Sequence, residues 1–460
     1  MKKLLISVVA VGTLFAQPTI TKLQQQINSL QKQLKELKAS QENTAEDLQQ
    51  VKRAHYEDHI SFHYDLRSSV DYLYYEMKSG EKYHNNILSN RVTLTGLAKV
   101  SDNLKATLKI EANNIFGMND ADNKYDNQNS FANETPDDTD LRVKEAFFNY
   151  TFGEDGEYMF SAGRRPSVGG YPANLREGDN PTSPVAHLVN MEFDGFSFWV
   201  KPDAMGSFGE DYGTNIKFCF GRGYSSNVGK FQQLPAYSKS DLASNDMGGF
   251  LFVPYNDDQY SVWWENIWSW HVQGYVPAGE DVNNDGTIDQ RDVVVADVGN
   301  YFGSNIIFKA DGIGDGISDF MDDTKAFISF AYTKTNPNSN GMLGSEDSKT
   351  GTSIWVGADM DGFGDNDRWG INIVKGSKYF RPMTYGEDTL AGSIAAVRGK
   401  AYDVYYNKTI VEHLTASLRF TYLDYDYAGS EAFFGVAGNP DQDDYISKAT
   451  DIRAYIRYSF

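Results

Sequence analysis

The chain ends Asp451-Ile452-Arg453-Ala454-Tyr455-Ile456-Arg457-Tyr458-Ser459-Phe460, and two interleaved sets of residues in this stretch decide the fold. Ile452, Ala454, Ile456, Tyr458 and Phe460 are apolar or aromatic, while Asp451, Arg453, Tyr455, Arg457 and Ser459 fill the positions between them. Side chains alternate between the two faces of an extended strand, so one face suits lipid and the other water.

The same period runs through the rest of the chain. Val92, Leu94, Gly96, Ala98 and Val100 alternate with Arg91, Thr93, Thr95, Leu97 and Lys99. After a turn at Ser101 to Asn103, Leu104, Ala106, Leu108, Ile110 and Ala112 alternate with Lys105, Thr107, Lys109, Glu111 and Asn113. Counted back from Phe460, strands are expected near 448–460, 414–427, 396–408, 369–378, 352–360, 324–334, 300–310, 259–272, 247–255, 214–224 and 188–202. Forward from residue 60 they are expected near 61–73, 91–101, 103–117, 140–153 and 157–166. The sum is about 16, an even number, as a single-chain bacterial barrel with both termini on one side requires. In 188–202, Asp194 and Gly195 also fit a hairpin turn.

The expected fold class is therefore all-β: a transmembrane antiparallel β-barrel of about 16 strands. Turns such as 101–103, 153–157 and 409–413 are short. The connections 74–90, 117–139, 167–187, 225–246, 273–299, 335–351, 377–395 and 428–447 are long, and long connections belong outside the cell. Trp264, Trp268 and Trp270 share a parity and should lie in an interfacial girdle facing lipid. A soluble β-sandwich is the competing fold, but such domains seldom put so many strands in one sheet.

Composition agrees. Tyr (29) and Phe (28) are abundant among 460 residues, and 63 acids against 42 Lys and Arg disfavour a nucleic-acid partner, whose phosphates need bases to displace counterions. A single Cys219 excludes an intrachain disulfide framework.

Two segments precede the barrel. Lys2 and Lys3 followed by the apolar stretch Leu4 to Phe15 have the anatomy of a secretory signal peptide, residues 1–16, cleaved after Ala16. Ile20, Ile27, Leu34, Gln41 and Leu48, with Leu23, Leu30, Leu37, Thr44 and Val51 three residues later, form a heptad seam in a short α-helical coiled coil over 17–55. A stripe on so polar a helix needs partners, so self-association follows. A single amphipathic helix is the alternative. The barrel takes 56–460.

The terminal strand resembles the last strand of bacterial outer-membrane proteins, whose final aromatic residue is part of the assembly signal. Signal peptide, coiled coil, about 16 strands and Phe460 together look like a trimeric Gram-negative porin carrying a periplasmic coiled-coil stalk. That resemblance implies passive diffusion of ions and small hydrophilic solutes, a homotrimer, a setting in outer-membrane lipid and lipopolysaccharide with the stalk in the periplasm, and a third long loop folded into the lumen. In porins of this type an acidic loop faces a basic wall, giving a transverse field. Carried to this chain, the loop is 167–187 with Arg176, Glu177 and Asp179, and the wall bases are Arg164, Arg165, Lys99, Lys105 and Lys109. A merely solvated loop is the alternative.

A separate loop has EF-hand-like spacing: Asp281, Asn283, Asp285, Gly286, Thr287, Asp289 and Asp292 occupy positions 1, 3, 5, 6, 7, 9 and 12, a pattern that wraps Ca²⁺ in oxygen ligands. An acidic solvated loop is the alternative there. His55, His59 and His63 are spaced by four but straddle the coil-to-strand junction, where helical metal geometry fails. No Ser-centred nucleophile motif, phosphate loop or Cys/His cluster appears, so no enzyme is expected. A substrate-specific channel, for phosphate or another anion, is the second functional reading; it calls for a ladder of lumenal Arg and Lys.

Overall fold

In a computed structural model the described residues are 60–116, 141–225, 244–282, 286, 293–314, 316–430 and 438–460, with Lys32 alone before them. The chain divides into two compact units, Met1–Ile60 and Ser61–Phe460. The signal segment 1–16 and the coiled coil 17–55 lie outside the described residues, apart from Lys32, which is helical and exposed.

The second unit is a closed barrel of sixteen strands. They are β1 Ile60–Met77, β2 Lys82–Ser101, β3 Leu104–Ile115, β4 Arg142–Phe152, β5 Tyr158–Arg165, β6 Phe193–Val200, β7 Asn215–Ser225 and β8 Ser244–Asn256, then β9 Tyr260–Pro277, β10 Val293–Asp311, β11 Lys325–Pro337, β12 Thr350–Asp361, β13 Arg368–Gly376, β14 Gly399–Val411, β15 Leu414–Tyr425 and β16 Ile446–Ser459. Each lies beside its chain neighbours, and β16 returns to β1 with Asp65 opposite Ser459 and Tyr72 opposite Ile452. Phe460 completes the seam: Tyr64 N–H donates to its carbonyl at 2.8 Å and its own N–H donates back at 2.9 Å. The two faces follow the alternation. Asp451, Arg453 and Tyr455 are buried in the lumen, whereas Ile452 and Ile456 are exposed outward, as are Trp264, Trp268 and Trp270.

Two expectations change, and one alternative falls. The stretch 74–90 is not a long loop, because β1 and β2 join through a tight turn over 78–81, with Gly80 at φ +94°. Residues 82–90 scatter Tyr83, Ile87 and Leu88 among polar residues without alternation, so they show no amphipathic period, yet a hairpin rising beyond the lipid needs none. The connection 273–299 shortens to 278–292, because β9 and β10 stay paired as far as Pro277 and Val293. Asp194 and Gly195 do not turn; they pair with Arg164 and Gly163 inside β6.

The lumen is not an open polar tube. The β5–β6 loop (166–192) and the β13–β14 loop (377–398) enter it and pair with each other: Met383 N–H donates to the Leu188 carbonyl at 2.8 Å, and Asn190 N–H to the Met383 carbonyl at 2.7 Å. Their apolar residues meet an apolar patch on the inner wall. Leu188, Met191 and Met383 pack with Ile267, Val272 and Tyr301, while Val185, Ile394 and Val397 pack with Phe327, Trp355 and Val374. His187 is pinned between two wall hydroxyls, Ser329 Oγ at 2.8 Å and Ser353 Oγ at 2.9 Å. Burial pushes its imidazole down to about 3, so it is neutral at ordinary pH.

The second loop comes so close at Gly351 of β12 that a Cβ there would lie 2.3 Å from the Phe380 backbone. Gly351→Val should therefore dislodge residues 377–398 at a cost of about 1–3 kcal/mol, the usual penalty of overpacking. Limited proteolysis of the folded barrel is the check, with new cleavage expected in that loop and none in the strands.

Candidate functional site

The lumenal face of the seam is basic. Arg67 on β1, Arg91 on β2, Arg419 on β15, and Arg453 and Arg457 on β16 lie on four adjacent strands. Two pairs are direct cross-strand neighbours, Arg67 with Arg457 and Arg419 with Arg453. Like charges in that relation repel, so the row requires acids.

Wall carboxylates meet part of the need. Asp65 accepts from Arg457 Nε at 2.5 Å and Asp71 accepts from Arg453 Nε. The loops supply the rest. Glu177 of the first loop accepts from Arg67 Nη1 at 2.7 Å and Arg91 Nη2 at 2.8 Å, and lies 3.7 Å from Arg457 Nη1. Asp179 pairs with Arg457 Nη2 at 2.9 Å. Asp388 of the second loop accepts from Arg67, from Arg91 Nη1 at 3.3 Å and from Arg453 Nη1 at 2.7 Å, and its carbonyl accepts from Arg419 Nη2 at 3.2 Å. Burial alone would raise the Glu177 carboxyl, but Arg91 and Arg67 bring it down to about 2. Burial acts on Asp388 in the same sense, and Arg453, Arg67 and Arg91 hold it well below the usual carboxylate range.

The two loops are also tied to each other. Arg176 Nη2 donates to Glu387 Oε1 at 2.5 Å with both side chains 4% exposed, Ser393 Oγ donates to Glu387 Oε2, and the Arg176 carbonyl accepts from Asn407 of β14 at 3.0 Å. Beside this latch remains a polar cavity of about 300 Å³, whose lining includes Arg91, Lys109, Glu111, Glu177, Asp388 and Arg457. Its size and polarity suit water and small ions.

The expected site residues separate into groups. Glu177 and Asp179 do face arginines on the wall, across direct hydrogen bonds rather than an open gap. Arg176 joins loop to loop and is not a free lining charge. Lys109 lines the cavity, 3.6 Å from Glu145. Lys99 and Lys105 lie at the short-turn end, Lys99 paired with Asp102 at 2.7 Å and Lys105 lining a separate recess at that mouth. Arg165 is buried behind the first loop, donating to Ser161 Oγ at 3.0 Å, and lines a smaller cavity of about 60 Å³ with Lys217 and Cys219. Arg164 does not face the lumen, because it shares the parity of Phe160, whose ring stacks on the outward Phe196, and it pairs with Asp194 at 2.8 Å. In the 281–292 loop only Asp281, Val282 and Gly286 are described; Gly286 N–H donates to Asp281 Oδ2 at 2.9 Å. Asn283, Asp285, Thr287, Asp289 and Asp292 lie outside the described residues.

Arg67, Arg419 and Asp388 were missing from the expected site, as was the role of Arg91, Arg453 and Arg457. The arginines sit at both ends of the barrel sequence, and only closure brings them together. Asp388 had a readable signal: Leu390 to Val397 is an apolar run that an external loop would not carry.

The profile of a family described as "Protein of unknown function (DUF3373)" matches residues 81–460. The chain belongs to this DUF3373 family. Among curated proteins nothing matches the sequence. Three of the solved structures to which the DUF3373 chain is similar illustrate the likeness. One is OmpT of Vibrio cholerae in its trimer form, with 10% identity and a TM-score of 0.46 over 87% of this chain and 99% of that one. Another is Salmonella typhi OmpF in complex with daunomycin, with 10% identity and a TM-score of 0.47 over 87% and 97%. The third is Pseudomonas putida OprB at high pH, with 11% identity and a TM-score of 0.47 over 90% and 97%. The barrel of this DUF3373 member is established by its own strand pairing.

Proposed function

We propose that this protein is a channel of the Gram-negative outer membrane, passing ions and small hydrophilic solutes passively past a constriction made by two loops. In this reading the termini face the periplasm and the long loops face outward. The observation that carries it is the seating of Glu177, Asp179 and Asp388 on the seam arginines beside a polar cavity of about 300 Å³, inside a closed barrel with an apolar outer face. Opposed charges at the narrowest point orient polar solutes and penalise apolar ones.

The arginine row also favours the second reading, an anion-selective channel, because five guanidiniums on adjacent strands are the ladder such a channel needs. Residues 17–55 are proposed as a periplasmic stalk that holds a homotrimer. The loop 281–292 is proposed to take one Ca²⁺ through Asp281, Asn283, Asp285, Thr287, Asp289 and Asp292.

Planar-bilayer recording of the refolded protein tests the function. Discrete steps of small conductance are expected, with weak selectivity in a KCl gradient. A reversal potential near the chloride limit selects the anion reading, and a protein that inserts without forming channels overturns both.

A further inference from the structure

We propose that the outer surface of β13 and β14 binds the phosphate groups of an outer-leaflet glycolipid through Lys375 and Lys400. This rests on the outer-membrane reading above.

The two lysines are direct cross-strand partners. Both are exposed, and both belong to the outward set, Lys375 with Ile371 and Ile373, Lys400 with Tyr402 and Val404. They occur next to the last residue of β13 and next to the first of β14, at the loop end of the barrel. Like charges so placed repel. Among the described residues no carboxylate forms an ion pair with either, although Asp424 stands opposite Lys400 in register.

Three outward charges at this end of other strands are matched within the protein, while Lys334 of β11 stands opposite Phe302 and Thr350 rather than beside a second base. Arg164 pairs with Asp194 at 2.8 Å, Arg222 with Asp246 at 2.7 Å, and Lys448 with Glu76 at 3.2 Å. The Lys375–Lys400 pair therefore calls for an anion from outside, in a chain whose formal net charge of -21 attracts none in general. One pleat toward the short-turn end lie Ile373 and Tyr402, the latter stacked on Tyr422 with ring centroids 6.4 Å apart. The ammonium groups thus stand at the edge of the apolar band, their stems over acyl chains and their heads at headgroup level. A phosphate monoester offers several acceptor oxygens and close to two negative charges to such a pair. The apolar surface below selects a phosphate carried on a lipid over a free one.

The test is native mass spectrometry of the full chain in mild detergent, titrated with bisphosphorylated lipid A, with its dephosphorylated form, and with inorganic phosphate. Retention of the bisphosphorylated lipid alone is expected. The double variant Lys375→Gln/Lys400→Gln should weaken it about tenfold or more, since each base near an anionic headgroup layer contributes a sizeable share of binding. Lys375→Arg/Lys400→Arg should restore it. Equal retention by wild type and the Gln variant, or equal retention of the dephosphorylated lipid, overturns the proposal, and so does binding of free phosphate as tight as that of the lipid. Insertion into neutral phosphatidylcholine vesicles is measured alongside. Failure to insert overturns the outer-membrane reading together with the site, whereas insertion without phosphate dependence overturns the site alone.

Discussion

Replacing Glu177 by Gln and Asp388 by Asn in one chain should make the channel strongly anion-selective and raise its conductance several-fold. These two carboxylates are shared by Arg67, Arg91 and Arg453, and Arg67 and Arg453 are only 3% exposed. Removing one partner of a buried ion pair typically costs about 3–5 kcal/mol, because the other charge is left uncompensated. The loops should then leave the wall, and the exposed guanidiniums should dominate the field at the narrowest point. Reversal potentials in a KCl gradient report the selectivity, and protease sensitivity of 166–192 and 377–398 reports the release. An unchanged reversal potential would mean that the current bypasses this site.

Acid should act in the same direction. Glu177 is depressed from 4.5 to about 2 in the folded protein, so its stabilising effect is complete above 4.5 and is lost as pH falls through that interval toward 2. Anion preference should therefore grow reversibly over that window in the wild type. In the double variant it should be high already at neutral pH.

The second large effect concerns the tie between the loops. Arg176→Ala leaves Glu387 buried with Ser393 as its remaining neighbour, and a loss of about 3–5 kcal/mol is expected. Both loops should become protease-sensitive together, since each holds the other. The apolar replacement of both partners, Arg176→Met with Glu387→Leu, should recover part of the loss, because Glu387 is no longer stranded while Asp403, 3.9 Å from Arg176 Nε, keeps only its hydrogen bonds from Asn372 and Thr421. Urea titration followed by tryptophan fluorescence measures the difference. Equal destabilisation by the single and double changes would assign the effect to packing rather than charge.

The barrel was legible because each strand had to place apolar residues toward lipid, and β16 carries that alternation through five pairs up to Phe460. What lay outside the lipid was not legible in the same way. Residues 82–90 form part of β2 with no amphipathic period, since Ile87 alone of them packs on the apolar cluster and no lipid-facing row is needed there. The contact of an acidic loop with a basic wall was read in outline, and Glu177 and Asp179 make it. Its bases were misplaced because Arg67 and Arg457 are neighbours only across the seam, a long-range pairing that local spacing does not encode. Arg164 fails for a local reason: one step in register moves a side chain from lumen to lipid. The inward course of 377–398 was written in Leu390 to Val397, whose apolar side chains need a core to pack against.

In the proposed channel, current passes the site where the two loops meet the seam arginines. Thiol labelling during single-channel recording tests it most directly, using Asp388→Cys in a Cys219→Ser background and a bulky charged methanethiosulfonate reagent. A stepwise, irreversible change in single-channel current is expected as the introduced thiol is labelled, and none in the Cys219→Ser parent. Complete labelling confirmed by mass spectrometry with an unaltered current would contradict it.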